Sequence, residues 1–326
     1  MAALTPRIRT AILIALAYVS VCTPTHAQNS PDSSSNPKSA PSPNQITQAI
    51  TPDDRPIPDI VAMMHDVEAN QRKAEAVQRD YIYCSVETQH ELGNHGEIKK
   101  TTVTESDHFW VNGVPVRRIV KKDGKSLTPD EIAKENDRID KLAAKANERR
   151  EKADAKGKET DPRGNEEITV SRLLELGSFT NPRRVLLNGR DAIAVEYAGD
   201  PKAKTRNRSE EVIRDLSGTV WVDEQDHVLA RVEGHFTSAF KIGGGLVASV
   251  QKDTRFSMVQ TKVNGEVWLP ARLEAQGAIH ALLFFGFNGS AQIVNSDYRK
   301  FRATSTILPG VTPVDTSQST EGAVHP

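Results

Sequence analysis

The chain has 326 residues, and its 42 basic and 43 acidic side chains nearly cancel in charge. This balance excludes the strongly basic surface that nucleic-acid-binding domains present, so we expect no nucleic-acid partner. Aromatic residues account for only 5% of the sequence, yet a chain of this size is long enough to bury one good hydrophobic core.

The first residues follow the order of a secretory signal peptide. Arg7 and Arg9 precede an apolar run over residues 11–21, and Ala27 offers a small residue before a cleavage point. The run is too short to span a membrane. We therefore expect residues 1–27 to be removed and the mature protein to reside in the periplasm.

Lipidation at Cys22 is the alternative, and it would anchor the mature chain to a membrane. The preceding residue is Val21, where a lipoprotein signal requires a very small side chain, so cleavage is the favoured interpretation. Removal of the signal leaves Cys84 as the single thiol, so no intramolecular disulfide is expected.

The two ends of the mature chain differ from its middle in composition. Residues 28–56 are mostly Ser, Pro, Asn, Gln and Asp, and such a segment buries too little apolar surface to offset its ordering entropy. We predict a disordered tether there and a flexible tail over residues 303–326. One domain over residues 57–302 is the economical count.

The domain is predicted to begin with an amphipathic helix near Asp59, followed by three hairpin-linked strands. The apolar residues of the helix recur at helical spacing: Ile60, Met63, Met64, Val67, Ala74 and Val77. The strands are predicted over Tyr81–Leu92, Glu97–Val111 and Val114–Lys121, because turn-forming residues separate them.

A charged insertion over residues 128–164 interrupts the strands. Thr128, Pro129 and Glu131 form a helix-start signal with a capping box. The helix over residues 129–155 has a thin apolar stripe, so we predict a solvated helix laced with paired charges. A second interpretation makes it an arm that contacts an envelope protein partner.

The second half begins with shorter elements and continues as an antiparallel meander. We predict a helix at Val170–Leu176, strands at Arg184–Leu187 and Ala192–Ala198, and a helix at Arg206–Leu216. From Gly218 to Phe301, runs rich in Val, Thr, Phe and Trp alternate with turn signals.

Two features of this meander predict strong curvature. The triple glycine 243–245 permits a sharp bend, and the run 282–287 is apolar on both faces, so both faces need a cover. Helices would supply one cover. The fold class is therefore α+β, with an ordinary two-layer core as the alternative to a strongly curved sheet.

Three sequence motifs carry a resemblance to a known family. They are Gly218–Asp223 (GTVWVD), Val228–Val232 (VLARV) and Val263–Pro270 (VNGEVWLP). In this arrangement the chain resembles the LolA/LolB-type superfamily of periplasmic lipoprotein-sorting proteins and their bacterial relatives, over roughly Asp59–Phe301.

The resemblance implies an incomplete, open β-barrel of about eleven antiparallel strands, with helices covering the concave face. It also implies a monomeric carrier that holds a lipid or the acyl chains of a lipoprotein and needs no cofactor. The long charged insertion and both tails depart from the compact carriers, so a protein-interaction or stress-sensing module of the same fold is the alternative.

An apolar trough is the site that this interpretation requires. Its candidate lining residues are Met63, Met64, Trp221, Leu246, Val250, Phe256, Met258, Leu283, Phe285 and Phe287. The competing interpretation is that they simply fill the core. Arg231 is the candidate polar anchor for a head group, or else an outward-facing charge.

Catalytic and metal sites find little support in the sequence. There is no Gly-x-Ser-x-Gly elbow, His-Glu-x-x-His pair or Walker-type loop, so we expect no enzymatic activity. His90, His95 and His108 lie near the first hairpin without a set of partners of metal-ligand type. We predict that they are surface residues and that no metal is bound.

Overall fold

The computed structural model describes residues 48–49, 55–93, 95–157, 160–164, 168–242, 248–281 and 285–301. These residues form one antiparallel sheet and four helices. The predicted fold class is confirmed: the chain is an α+β protein with a curved, unclosed antiparallel sheet. The predicted tether, the tail, the triple glycine, Leu246 and Leu283 lie wholly or mostly outside the described residues.

Ten of the strands in the described residues have eight or more residues. They are β2 (Tyr81–Leu92), β3 (Ile98–Val111), β4 (Val114–Lys122), β6 (Gly177–Leu187), β7 (Arg190–Gly199), β8 (Leu216–Asp223), β9 (Val228–Phe236), β12 (Arg255–Val263), β13 (Val267–Ala281) and β14 (Phe285–Lys300). Four short segments complete the sheet: β1 (Gln48–Ala49), β5 (Lys125–Ser126), β10 (Phe240–Ile242) and β11 (Ala248–Val250).

The strand order is β1-β6-β7-β8-β9-β12-β13-β14-β2-β3-β4-β5, with β10 and β11 paired beside the end of β13. Most neighbours are also successive in the sequence. The exceptions are β1 beside β6, β9 beside β12, and β14 beside β2. The last of these pairs brings the final strand against the first long one. Within the part of the chain that is described, β1 and β5 form the two ends of the sheet.

Tight turns explain why the meander has this register. Asn112-Gly113, Asp123-Gly124, Asn188-Gly189 and Asn264-Gly265 all have positive φ at both positions. Such pairs form the two-residue turns whose twist matches that of antiparallel strands. The hairpins that the sequence predicts around three of these pairs, at residues 112, 188 and 264, are confirmed.

The helices are α1 (Ile60–Gln78), α2 (Pro129–Asp154), α3 (Val170–Leu176) and α4 (Arg208–Arg214). Asp59 caps α1, and Thr128 with Glu131 forms the capping box of α2, as predicted. The predicted helix at Arg206–Leu216 is wrong at its C-terminal end. Leu216 begins β8 instead, where its side chain joins the apolar core, a position that either periodicity allows.

Helices α1, α3 and α4 pack on one face of the sheet, which we call the helical face. The contacts there bury one large apolar cluster that includes Met63, Leu173, Ile213, Val232 and Leu273. Fully burying a side chain of this kind stabilises a fold by roughly 1.5–3 kcal/mol. The other side of the sheet is called the groove face.

Helix α2 has a different position, because it covers the free edge of β4. The Ile119 N–H donates to Glu135 Oε1 at 2.8 Å, and Arg138 Nη2 donates to the Arg117 carbonyl at 2.5 Å. Ile139 and Ala146, which belong to the thin apolar stripe of α2, pack against residues of β4. The insertion thus satisfies backbone groups that an open edge strand would expose.

Candidate functional site

The groove face carries an open cleft of about 830 Å³ that runs across the strands. One wall is a cross-strand row in which each residue pairs directly with the next. This row consists of Thr180, Glu196, Thr219, Glu233, Ser257, Glu274, Gln292 and Thr88. Every member of the row lines the cleft.

The second wall is the parallel row two residues further along each strand. It contains Ala198, Ser217, His235, Arg255, Gln276, Ser290 and His90, again in direct register. Side chains two residues apart on a strand point to the same side, so both rows face the cleft. Apart from Ala198, every residue of the two walls has a polar side chain.

The floor of the cleft lies between the two rows. Gly218 pairs with Gly234, and Gly234 pairs with Phe256. A Cβ on Gly234 would lie 2.7 Å from Phe256 Cζ, and one on Gly218 would lie 2.0 Å from the Glu233 carbonyl oxygen. These close approaches require glycine, and they place the Phe256 ring directly behind the floor.

The three carboxylates of the first wall all have arginine partners. Arg183 pairs with Glu196, Arg231 with Glu233 and Arg272 with Glu274. Burial raises the pKa of Glu274, but hydrogen bonds from Arg272 and Gln292 more than offset this, so its pKa is lowered. The acidic wall is therefore electrically compensated.

The predicted trough residues lie on both faces of the sheet. Met63, Met64, Val250 and Met258 belong to the apolar cluster of the helical face and are at most 8% exposed. Phe256 packs against this cluster and also lines the cleft. For these five residues, the structure brings the predicted set together.

Trp221 lies on the groove face, away from that cluster. It packs with small residues such as Ala192, Ala194 and Ala230. Arg231, the predicted polar anchor, stacks over the Trp221 ring with its Cζ 5.1 Å from the ring centroid. A guanidinium that is stacked on an indole and paired with Glu233 is held in place by both contacts.

Phe285 and Phe287 occupy the first part of β14, opposite Ala281 and Ile279 of β13. The structure describes their backbone only. Their register places them beyond the second wall of the cleft, on the same strand as Ser290. Their part in a trough remains a prediction.

Two of the three sequence motifs contribute residues, Asp223 and Trp268, to the contacts that stabilise the turn between β8 and β9. Asp223 is 1% exposed and accepts two hydrogen bonds from Arg190, at 2.6 and 2.8 Å, and one from the Asp226 N–H. Trp268 Nε1 donates to Asp226 at 2.8 Å. The two acidic residues thus stabilise the turn.

The prediction that His108 is a surface residue is wrong. It is 4% exposed, stacks on Tyr83 with ring centroids 4.5 Å apart, and its Nε2 lies 2.9 Å from Ser85 Oγ. Burial and the positive charges of Arg117 and Arg163 lower the pKa of His108 to about 3. It is therefore neutral near pH 7 and part of the core.

The described residues include no helix that is long and apolar enough to cross a membrane. Nor do three side chains of the His, Cys, Asp or Glu type come together there in an arrangement that could hold a metal ion.

The polar cleft was missed by sequence reasoning, which looked for apolar residues. The sequence nevertheless contained an indication of the cleft. Ser217 and Thr219 in β8, and Glu233 and His235 in β9, are polar residues that alternate with apolar residues or glycine. Alternation of this kind marks the accessible side of a sheet. Only the register shows that these residues form two continuous rows.

No known family profile matches the sequence, and no curated protein shows significant similarity to it. Several solved structures do resemble the chain. A structure assigned as an outer membrane lipoprotein-sorting protein domain, from Vibrio parahaemolyticus, has 11% identity and a TM-score of 0.33, covering 75% of this chain and 93% of its own.

Two further structures give similar coverage. A DUF1329 family protein from Desulfovibrio piger has 11% identity and a TM-score of 0.24, covering 74% of this chain and 95% of its own. The MucA/MucB complex from Pseudomonas aeruginosa gives 8% identity and a TM-score of 0.19, covering 73% and 100%.

All three similarities have TM-scores below 0.5 and identities below 25%. Nothing about a ligand or a partner of this chain follows from them.

Proposed function

We propose that the protein is a non-enzymatic binding protein of the periplasm that holds a lipid, or the acyl chains of a lipoprotein, between its helical layer and its sheet. One observation carries this proposal. The sequence has four methionines, and three of them, Met63, Met64 and Met258, lie together in the apolar cluster of the helical face. Methionine is unbranched and flexible, and it suits a surface that must repack around variable chains.

Helix α1 also has the properties of a cover that can separate from the sheet. Besides its apolar residues, it buries Glu68, Gln71 and Glu75, which are 0%, 8% and 7% exposed. Burying a polar group costs free energy unless it is hydrogen-bonded or paired, and two partners of Glu68, His65 and Arg72, belong to α1 itself. A helix with this mixed stripe is held less firmly than one with a purely apolar stripe, so it favours opening for an acyl chain.

In this proposal the ligand contacts are the apolar residues of the helical face together with the first part of β14. They are Met63, Met64, Val250, Phe256, Met258, Phe285 and Phe287, with Leu246 and Leu283 as further candidates. Each methylene that leaves water contributes about 0.8 kcal/mol, so a chain of a dozen carbons can displace the side chains that fill the closed cluster.

Titration of the full mature protein with a fluorescent long-chain fatty acid tests this proposal. The triple variant Met63→Leu, Met64→Leu, Met258→Leu conserves volume, so each change costs less than about 1.5 kcal/mol of stability. We expect binding by the native protein and at least about fivefold weaker binding by the variant, because branched side chains repack less easily.

Val294→Leu is the matched control. Val294 is 40% exposed on the groove face, so this change should leave probe binding as it is in the native protein. Absence of probe binding by the native protein would refute the proposal.

A second candidate, a protein-interaction module, is favoured by the outer surface of α2. Lys134, Lys141, Lys145 and Lys152 are all exposed, and their spacing places them along one side of the helix. Lys152 pairs with Glu148 at 2.5 Å. Such a stripe suits an acidic partner surface.

Reversing the charge at Lys134, Lys141 and Lys145 to Glu tests this second candidate. We expect loss of a cross-linked envelope partner that the native protein captures, with unchanged binding of the acyl probe. An identical cross-linking pattern for the variant and the native protein would exclude the stripe as the contact surface.

A further inference from the structure

The cations of the groove face differ in their bonding. Arg183, Arg231 and Arg272 are all bound to glutamates. Arg255 is exposed and lines the cleft, and among the described residues it has neither an ion pair nor a hydrogen-bonded side-chain partner. One guanidinium in the second wall thus remains available to a ligand.

The neighbours of Arg255 are hydrogen-bonding groups without negative charge. His235 and Gln276 are its direct partners on β9 and β13, and Ser217 follows His235 in the same row. The carboxylates of the first wall lie two residues away along each strand, roughly 7 Å, and are compensated by their own arginines. This part of the cleft therefore presents positive charge and donors to an anion.

Arg255 also lies beside an interruption of the sheet, since β11 continues along β13 beyond the start of β12. It is the first residue of β12, and the neighbouring β9 ends at Phe236, one residue after His235. The Phe236 N–H donates to the Thr254 carbonyl at 3.0 Å, which joins the end of β9 to the start of β12.

The apolar cluster begins directly behind this position. Phe236 and Phe256, with ring centroids 6.4 Å apart, face the helical side from the residues next to His235 and Arg255. Val250 of β11 joins the same cluster. For a ligand whose charged end lies at Arg255, Phe236 and Phe256 are therefore the nearest part of the apolar cluster.

We infer that Arg255 and His235 form the binding site for the anionic head group, a carboxylate or a phosphate, of the amphiphile that the protein holds. This inference rests on the proposed function and specifies its ligand class: a chain with a negatively charged end. The anchor is thus Arg255 and not Arg231, whose guanidinium is already held by Trp221 and Glu233.

Three amphiphiles of equal chain length test the inference by displacement of the fluorescent fatty acid from the full mature protein. They are palmitate, hexadecyl phosphate and the neutral hexadecanol. A charge-assisted hydrogen bond from a guanidinium predicts that the two anions bind about tenfold more tightly than the alcohol. Inorganic phosphate serves as a fourth arm, which tests whether the head group binds without a chain.

Variants of Arg255 test whether this residue causes the preference for anionic amphiphiles. Arg255→Gln should weaken binding of both anions about tenfold and leave hexadecanol unaffected, while Arg255→Lys should retain part of the preference because it keeps the charge. Lys252→Gln is the matched control, since Lys252 is exposed three residues away and does not line the cleft.

The two proposals fail in different ways. Equal binding of all three amphiphiles by the native protein, or equal weakening of all three in Arg255→Gln, would overturn the anionic-head site while the acyl-binding function stands. Binding of none of the three would overturn both. Competition by inorganic phosphate at the concentration that affects hexadecyl phosphate would show that the chain adds nothing, and would also overturn the inference.

Discussion

Single residues in this protein show how burial sets the chemistry of a side chain. His108 was expected on the surface because it lies near a hairpin with two other histidines. In the structure His108 pairs with Tyr83 on the neighbouring strand and is buried. Its neutral ring stacks on the Tyr83 ring and forms a hydrogen bond with Ser85. No spacing rule in the sequence separates it from His90, which contacts Thr101 at the exposed part of the same hairpin.

This burial predicts a pH dependence of stability. The pKa of His108 is lowered from 6.5 to about 3, so between these values the unfolded chain binds a proton that the folded protein does not. Stability therefore rises with pH in this window and falls as the pH is lowered, by at most about 1.4 kcal/mol per pH unit from this group.

Urea unfolding of the native protein and of His108→Gln at pH 4, 5, 6 and 7 measures this effect. The variant should show a smaller increase in unfolding free energy from pH 4 to pH 6, whereas His90→Gln should keep the native slope. Equal slopes for native protein and His108→Gln would mean that the imidazole is protonated in the folded state.

Among the elements, α2 shows most clearly what a sequence pattern can and cannot give. Its capping box and charged composition predicted a helix with the correct start, and the thin apolar stripe predicted large exposure. That stripe alone could not identify the surface beneath it. Glu135 and Arg138 looked like ordinary surface charges, yet they bind backbone groups of the β4 edge.

The edge contact predicts the effect of Glu135→Ala. Glu135 is 8% exposed. Burial raises its pKa, but the hydrogen bonds from Arg138 and the Ile119 N–H lower it by more, so the net pKa is lowered and the carboxylate is ionised in the folded protein. Loss of these charge-assisted bonds should cost about 2 kcal/mol. Hydrogen exchange at the Ile119 amide should become at least about tenfold faster.

Asp137→Ala is the control for this experiment, because Asp137 is exposed on the opposite side of the same helix. An Ile119 amide that exchanges at the native rate in Glu135→Ala would show that α2 does not protect the β4 edge.

For the whole molecule, the sequence predicted the strands and turns better than it predicted the site. Pairs such as Asn112-Gly113 fix local geometry through positive φ, so local residues suffice to find the hairpins. The return of β14 to β2 joins residues about two hundred positions apart, and no local sequence pattern predicted this pairing. The cleft depends on the register of eight strands at once, which no local pattern contains.

The predicted site residues are distributed over the two faces of the sheet. Helical periodicity placed Met63 and Met64 on one face of α1, and in the structure both share one apolar cluster with Met258. Trp221 is equally apolar but lies one position out of phase with Val220 and Val222, and therefore on the groove face. The alternation of side chains along β8 is enough to assign Trp221 and Val220 to opposite faces. The position of Arg231 over the Trp221 ring, by contrast, depends on how β8 pairs with β9.

The central claim is that an acyl chain occupies this fold, and native mass spectrometry tests it most directly. The mature protein would be purified under mild conditions from its own envelope fraction and analysed without denaturation. We predict a bound mass that matches a lipid or an acylated peptide with a negatively charged end, and its loss from the Met63→Leu, Met64→Leu, Met258→Leu variant. Protein that carries no acyl-containing mass and takes none up from added lipid would contradict the account.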